Sequence, residues 1–276
     1  MQTNKFFILG LPRSGTTAIA RTLTACKDIC VYSSEKVDGK ITNESHFFEP
    51  FALNGATVTL DWESKLTNTI ESTYHKKYNG IKTISGDHIQ IHDLVHTHNY
   101  RPLVTIRKDI WKTIFSKIAA AYALQEKQIS GDATGDVPYL QSSRNINANF
   151  DNFNQFVPRL EFFLASFIKT TYDFENRVRD TLNPIDIIYF EDFVKPNVTY
   201  KKINEYFDQE IIFNLGYNDT FDVVDEYLAD VNWTSNQYAY LSDKIEKNIE
   251  RFQLTKDSKV PQYLKDALLN NPFKDR

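Results

Sequence analysis

The stretch FFILGLPRSGTTAIARTL, Phe6 to Leu23, constrains the fold more than any other part of this 276-residue chain. An apolar run ends at Gly10, the chain passes through Pro-Arg-Ser-Gly, and a helical pattern opens at Thr16. A short continuous apolar run that feeds a helix through a glycine turn suits a strand buried on both faces, the first half of a βαβ unit. The helix that follows begins with N–H groups lacking internal partners and with the positive end of its dipole. Anions bind readily there, and Gly10 and Gly15 let a phosphate approach the backbone closely.

The same alternation continues downstream. Strands are expected at Phe6–Leu9, Ile29–Tyr32, Gly80–Ile84, Leu103–Ile106 and Ile185–Phe190. Helices are expected at Thr16–Cys26, along the stripe Trp62, Leu66, Ile70 and Tyr74, at Ile110–Gln125, at Phe153–Arg179 with Pro158 starting or kinking it, at Ser235–Phe252 and at Pro261–Leu269. Together they predict an α/β fold, a central parallel sheet of about five strands flanked by helices. No internal repeat divides the chain, so a single domain spanning 1–276 is expected. The polar segment Gln128–Asn149, with Gly131, Gly135 and Pro138, breaks the pattern and reads as an inserted lid, an acceptor-side loop or plain disorder.

Composition narrows the partners. The formal net charge is -4, so no global basic field gathers nucleic acid, and any anion site must be local. Two cysteines, Cys26 and Cys30, make no disulfide framework and are expected as buried thiols in a reducing compartment. The first apolar run is interrupted by Gly10, Pro12 and Arg13, unlike a signal peptide. No stretch approaches the ~20 apolar residues of a membrane span. A soluble, cytoplasmic protein is the expectation.

The spacing of Gly10 and Gly15 fits G-x-x-x-x-G, but nucleotide hydrolases follow the second glycine with Lys and then Ser or Thr. Here Thr16 stands in the lysine's place, and a cation sits earlier, at Arg13. LPRSGTT after an apolar N-terminal strand resembles the 5′-phosphosulfate loop of sulfotransferases, closer to their bacterial, carbohydrate and tyrosylprotein branches than to the cytosolic steroid and phenol branch. The resemblance implies a P-loop NTPase-like sulfotransferase fold. It also implies that Pro12, Arg13, Ser14, Gly15, Thr16 and Thr17 hold the phosphosulfate, with Arg13 near the oxygen that bridges phosphate and sulfur.

Two further segments support it in family order, so that the three matches span residues 6 to 196. RPLVTIRKDIWKTIFSKIA, Arg101 to Ala119, resembles the 3′-phosphate motif, which implies that Arg107 and Ser116 clamp the nucleotide's 3′-phosphate; a guanidinium suits a phosphate because its fork can bond bidentately. Asp109 reads better as a helix N-cap. NPIDIIYFEDFVKP, Asn183 to Pro196, resembles the family's Y-E-D-L strand end, where Glu191 and Asp192 are expected to be structural. The glycine- and lysine-rich C-terminal segment of the cytosolic branch has no counterpart, since residues 254–276 contain no glycine; Arg144 is the one suggestion for completing the 3′-phosphate site.

The implied co-substrate is 3′-phosphoadenosine 5′-phosphosulfate (PAPS), the product 3′-phosphoadenosine 5′-phosphate (PAP), and no metal is expected. A base must take the acceptor's proton. Glu49, in FFEPF between Phe47, Phe48 and Phe51, is the first choice because aromatic neighbours raise a carboxyl's pKa, and the segment resembles the F-E-P of carbohydrate sulfotransferases. Glu44 and His46 are reserves. Lys82 resembles the strand lysine that points at the transferring group. The family's histidine two residues later is Ile84 here, which leaves His88 as a substitute. His88, His92, His96 and His98 raise a metal site for consideration, but they lack an acidic or cysteine partner at diagnostic spacing, and an exposed helix explains them more simply. The expected acceptor is the hydroxyl of a sugar, lipid headgroup or small alcohol, with tyrosine less favoured. A P-loop nucleotide kinase or NTPase using Asp192 for Mg²⁺, or a catalytically inactive nucleotide-binding module, remains as an alternative.

Overall fold

The computed structural model describes residues 4–11, 14–32, 35–37, 40–42, 63, 66–67, 71–84, 88–119, 150–193, 195, 197–213, 228, 231–251, 256 and 259–276. These fall into two compact units, one comprising Met1–Arg107 with Asn176–Tyr217 and the other Lys108–Glu175 with Asn218–Arg276.

The first unit carries a five-stranded parallel sheet built from β1 (Asn4–Gly10), β2 (Ile29–Tyr32), β5 (Tyr78–Ile84), β6 (Arg101–Ile106) and β7 (Ile187–Tyr189), in the order β2-β5-β1-β6-β7. β1 is central, and Phe6, Phe7, Ile8 and Leu9 have no exposed surface. That is why its run is continuously apolar instead of alternating. Helix α1 (Thr16–Thr24) packs Ile19, Ala20 and Leu23 into the core, joined by Ile203 and Phe207 of a second helix, Lys201–Phe207. Gly80 lies against the Phe6 ring, with room for no side chain: a Cβ there would meet the ring at 2.4 Å.

Connectivity makes one end of this sheet special. From β1 the chain leaves toward β2, on one side; from β6 it leaves toward β7, on the other. Exits therefore diverge between the C-terminal ends of β1 and β6, the place where open α/β sheets hold ligands.

The expected sheet is thus present, with adjusted ends. Ile185–Phe190 is too long for the last strand: β7 stops at Tyr189, and Phe190–Phe193 is one helical turn with Glu191 and Asp192 at its start, where acidic side chains are favoured. A two-stranded antiparallel hairpin, β3 (Glu35–Val37) and β4 (Lys40–Thr42), was not anticipated, although Asp38-Gly39 between its strands is a hairpin signal. Cys26 and Cys30 are free thiols but half-buried, where buried ones were expected; partial burial pushes both up from the usual thiol range.

Among the described residues the second unit is helical. A helix over 110–119 contributes Ile110, Ile114, Phe115 and Ile118 to its core, and the long helix Phe153–Thr181 contributes Phe156, Leu160, Leu164, Phe167 and Ile168. Ser235–Arg251 and Gln262–Leu269 add Leu241, Ile245, Leu264 and Leu268. The long helix starts before Pro158. Asn152 caps it, its carbonyl accepting from the N–H of Phe156 at 2.9 Å. Asp109 caps the 110–119 helix as expected: its carboxylate accepts the Lys112 N–H at 2.9 Å. No described helix is long and apolar enough to cross a membrane. Gln128–Asn149, Trp62 and Ile70 lie outside the described residues.

Candidate functional site

Beyond the C-terminal end of β1 the chain folds back on itself. Ser14 donates from its N–H to the carbonyl of Leu11 at 3.1 Å, and its hydroxyl donates to the same oxygen at 2.7 Å. Gly15 follows at φ 89°, ψ 14°, a left-handed conformation that a residue with a Cβ rarely adopts, and it forms the N-cap of α1. Its carbonyl accepts from Ala18 at 3.0 Å and Ile19 at 3.1 Å. The amides of the first turn precede these bonds and belong to the set that a helix cannot satisfy internally. No side chain caps this helix.

The fold-back is tight enough to dictate Gly10. A Cβ at that position would lie 2.5 Å from the Ser14 hydroxyl, 2.5 Å from Cγ2 of Thr105 and 2.7 Å from Cγ2 of Thr16. Both glycines of the motif are therefore required by geometry, one by crowding and the other by its backbone angle.

The two strands flanking β1 each send a polar group to this turn. From β6, the fully buried Thr105 hydroxyl donates to the carbonyl of Ser14 at 2.6 Å. From β5, Lys82, paired in register with Ile8 of β1, extends its ammonium to the hydroxyl of Thr17 at 3.1 Å. Lys82 is only 2% exposed, so a charge is kept in the protein interior at the first turn of α1. Burying an ammonium costs several kcal/mol unless polar groups surround it, so a lysine here is not neutral filler.

A second cation stands at the end of β6. The register pairs Ile106 with Tyr189, which brings the next residues, Arg107 and Phe190, side by side past the ends of neighbouring strands. The Arg107 guanidinium lies over the Phe190 ring, 4.6 Å from its centroid. Phe190 is partly buried and packs against the sheet core.

Of the residues singled out from sequence, Ser14, Gly15, Thr16, Thr17, Lys82 and Arg107 all belong to the first unit; Lys82 meets Thr17, and Ser14 bonds back to Leu11. Ser116 is buried on the 110–119 helix and belongs to the second unit. His88 is the first residue of a helix, His88–His96. The rings of His92 and His96 meet on that helix at a tilt of 42°, centroids 4.2 Å apart, and among the described residues no three potential ligands gather. Pro12, Arg13, Glu44, His46, Glu49 and Arg144 lie outside the described residues.

Two contributors escaped the sequence reading: Thr105, the single hydroxyl in the strand Arg101–Ile106, and Phe190. A lone polar residue inside a buried strand was the available signal for the first.

No protein-family model, curated protein or solved structure matches this chain significantly.

Proposed function

We propose that this protein is a PAPS-dependent sulfotransferase, acting on the hydroxyl of a sugar, lipid headgroup or small alcohol. The observation that carries the proposal is Lys82, a buried ammonium on the strand beside β1, 3.1 Å from the Thr17 hydroxyl in the first turn of α1. Nucleotide hydrolases supply that cation from the loop itself, where this chain has Thr16. Here the neighbouring strand supplies it. The resemblance of LPRSGTT to a phosphosulfate loop gives the arrangement a specific use.

In the reaction, the acceptor oxygen loses its proton and attacks sulfur. The bond from sulfur to the oxygen bridging it to phosphate breaks, and that oxygen leaves on PAP carrying negative charge. First-turn amides of α1, the hydroxyls of Thr16 and Thr17, and Lys82 oppose that charge as it develops, with Arg13 assigned to the bridging oxygen. Preorganised donors of this kind are commonly worth 10²–10³ in rate each. A sulfuryl group carries less charge than a terminal phosphoryl group, so the reaction relies less on a divalent ion. Glu49 is assigned as base, with His88 its substitute. Arg107 is assigned to the 3′-phosphate.

The test is binding of PAP by calorimetry without Mg²⁺, followed by transfer of radiolabelled sulfate from PAPS to a panel of alcohols and sugars. Wild type should bind PAP, and Arg107→Ala should lose at least tenfold, the size of a charge-assisted phosphate contact. Equal affinity in the two proteins removes Arg107 from the site. Mg²⁺-dependent ATP binding with no preference for a 3′-phosphate favours a kinase or NTPase instead. PAP binding with no transfer to any acceptor favours an inactive binding module.

A further inference from the structure

We infer that Phe190 is a positioning residue for 3′-phosphate recognition: its ring holds the Arg107 guanidinium flat, so that the guanidinium's edge faces the ligand. The inference rests on the assignment of Arg107 to the 3′-phosphate.

A guanidinium bonds only in its own plane, where its five N–H donors lie, and its faces are poor donors. An aromatic ring against one face therefore competes for none of the donors a phosphate uses. In this protein the ring centroid is 4.6 Å from Cζ of Arg107, within cation–π range. The placement is set by the fold. Ile106 and Tyr189 are register partners on β6 and β7, and the chain leaves both strands at the next residue. Phe190 opens a one-turn helix and packs against the sheet core, so the ring is anchored from behind. An arginine side chain otherwise gives up rotamer freedom when it orders on a ligand; a fixed ring removes part of that loss before the ligand arrives. The contact also ties together the two segments around Arg107 and Phe190, which are 83 residues apart in sequence (190 minus 107).

The experiment compares two ligands on the full chain: adenosine 3′,5′-bisphosphate and adenosine 5′-phosphate, identical except at the 3′ position. Their affinity ratio reports the 3′-phosphate contact alone. Phe190→Leu keeps an apolar side chain and removes the ring's charge distribution; Phe190→Tyr keeps the ring. Phe190→Leu is expected to lower the bisphosphate affinity by about five- to twentyfold while leaving the monophosphate within about twofold. Phe190→Tyr should restore the ratio. Thermal melts of each variant run in parallel, and Phe190→Met replaces the leucine variant if that one fails to fold.

Equal loss of both ligands in Phe190→Leu overturns the inference, since the ring would then serve the base or the fold. No loss in Phe190→Leu, with a large one in Arg107→Ala, overturns it too and leaves the assigned function standing. If wild type makes no distinction between the two ligands, the assignment of Arg107 fails, and the role of Phe190 fails with it.

Discussion

At the N-terminal edge of the sheet, Lys5 reaches Glu71 at 2.7 Å, and Lys77 reaches Asp208 at 3.1 Å. Glu71 also accepts from the Tyr100 hydroxyl at 3.2 Å, which shares a hydrogen bond with Tyr74 at 2.5 Å. At the C-terminal edge of the same sheet, Lys82 reaches the hydroxyl of Thr17, and Arg107 lies on the face of Phe190. The first edge pairs Lys5 with a partly buried carboxylate and Lys77 with an exposed one. At the second, one cation reaches a hydroxyl in the first turn of α1, where the helix dipole is positive, and the other lies over an aromatic ring. A charge matched to a carboxylate has its electrostatic need met at home. A cation brought up to a helix N-terminus adds to the positive field that a ligand anion would meet there.

That difference breaks most sharply at Lys82. Lys82→Met should lower sulfate transfer by about 10²–10³, while leaving thermal stability unchanged or higher, because replacing a buried charge with an apolar side chain is often neutral or stabilising. Lys5→Met does the reverse: about 1 kcal/mol of stability lost, from a pair whose side chains are 25% and 21% exposed, with transfer and PAP affinity unchanged. Melting curves and initial rates on both variants decide it. If Lys82→Met destabilises and keeps its rate, its ammonium is a structural group like that of Lys5.

Next in size is the tightness of the turn. Gly10→Ala places a methyl 2.5 Å from the Ser14 hydroxyl and from Thr105. Overpacking of this kind costs about 1–3 kcal/mol, and the strain falls on the turn that orients the α1 amides. PAP affinity should fall at least tenfold, more than the stability loss alone would suggest. Gly80→Ala, also crowded but against the Phe6 ring, should destabilise without a selective effect on PAP. Equal profiles for the two variants would mean that the turn is not a binding element. Thr105→Val tests the same turn more gently, removing the 2.6 Å bond to the Ser14 carbonyl with little change of volume. A loss of about 1 kcal/mol accompanied by weaker PAP binding is expected.

The same contrast marks what the sequence disclosed. β1, β2, β5 and β6 were visible within two residues at each end because a strand buried on both faces must be apolar throughout, and a local run carries that signal. Gly10 and Gly15 stood out because glycines punctuate the strand-to-helix turn, and Lys82 and Arg107 because their segments resemble those of sulfotransferases. Thr105 and Phe190 did not. Their roles depend on β6 lying between β1 and β7, and strand order is a long-range property that no local pattern writes down. Phe190 was misread for the same reason, as the last residue of a strand; its apolar side chain fits either state, and only Glu191 and Asp192 behind it hint at a helical turn. The Lys201–Phe207 helix was missed because it has seven residues and no side-chain cap, leaving only the pair Ile203 and Phe207 to announce it.

The smallest effect belongs to the N-terminal edge and appears only in alkali. Burial pushes the Tyr206 phenol up to about 12, and the Arg101 guanidinium over its ring, at 4.9 Å, pulls the other way. An unfolded tyrosine gives up its proton near pH 10. Between about pH 10 and 12 the unfolded chain therefore binds fewer protons than the folded one, so stability is complete below pH 10 and falls as pH rises through that window. Tyr74 and Tyr100 are shifted upward as well, mainly by burial, and steepen the fall. Tyr206→Phe also gives up the bond from its hydroxyl to the Lys5 carbonyl at 3.2 Å, so it should be slightly less stable at pH 8 and show a shallower decline above pH 10. Urea midpoints at pH 8, 10 and 11 measure both. An unchanged slope would show that the phenol titrates alike in the folded and unfolded chain, and that this edge is more open to water than its packing implies.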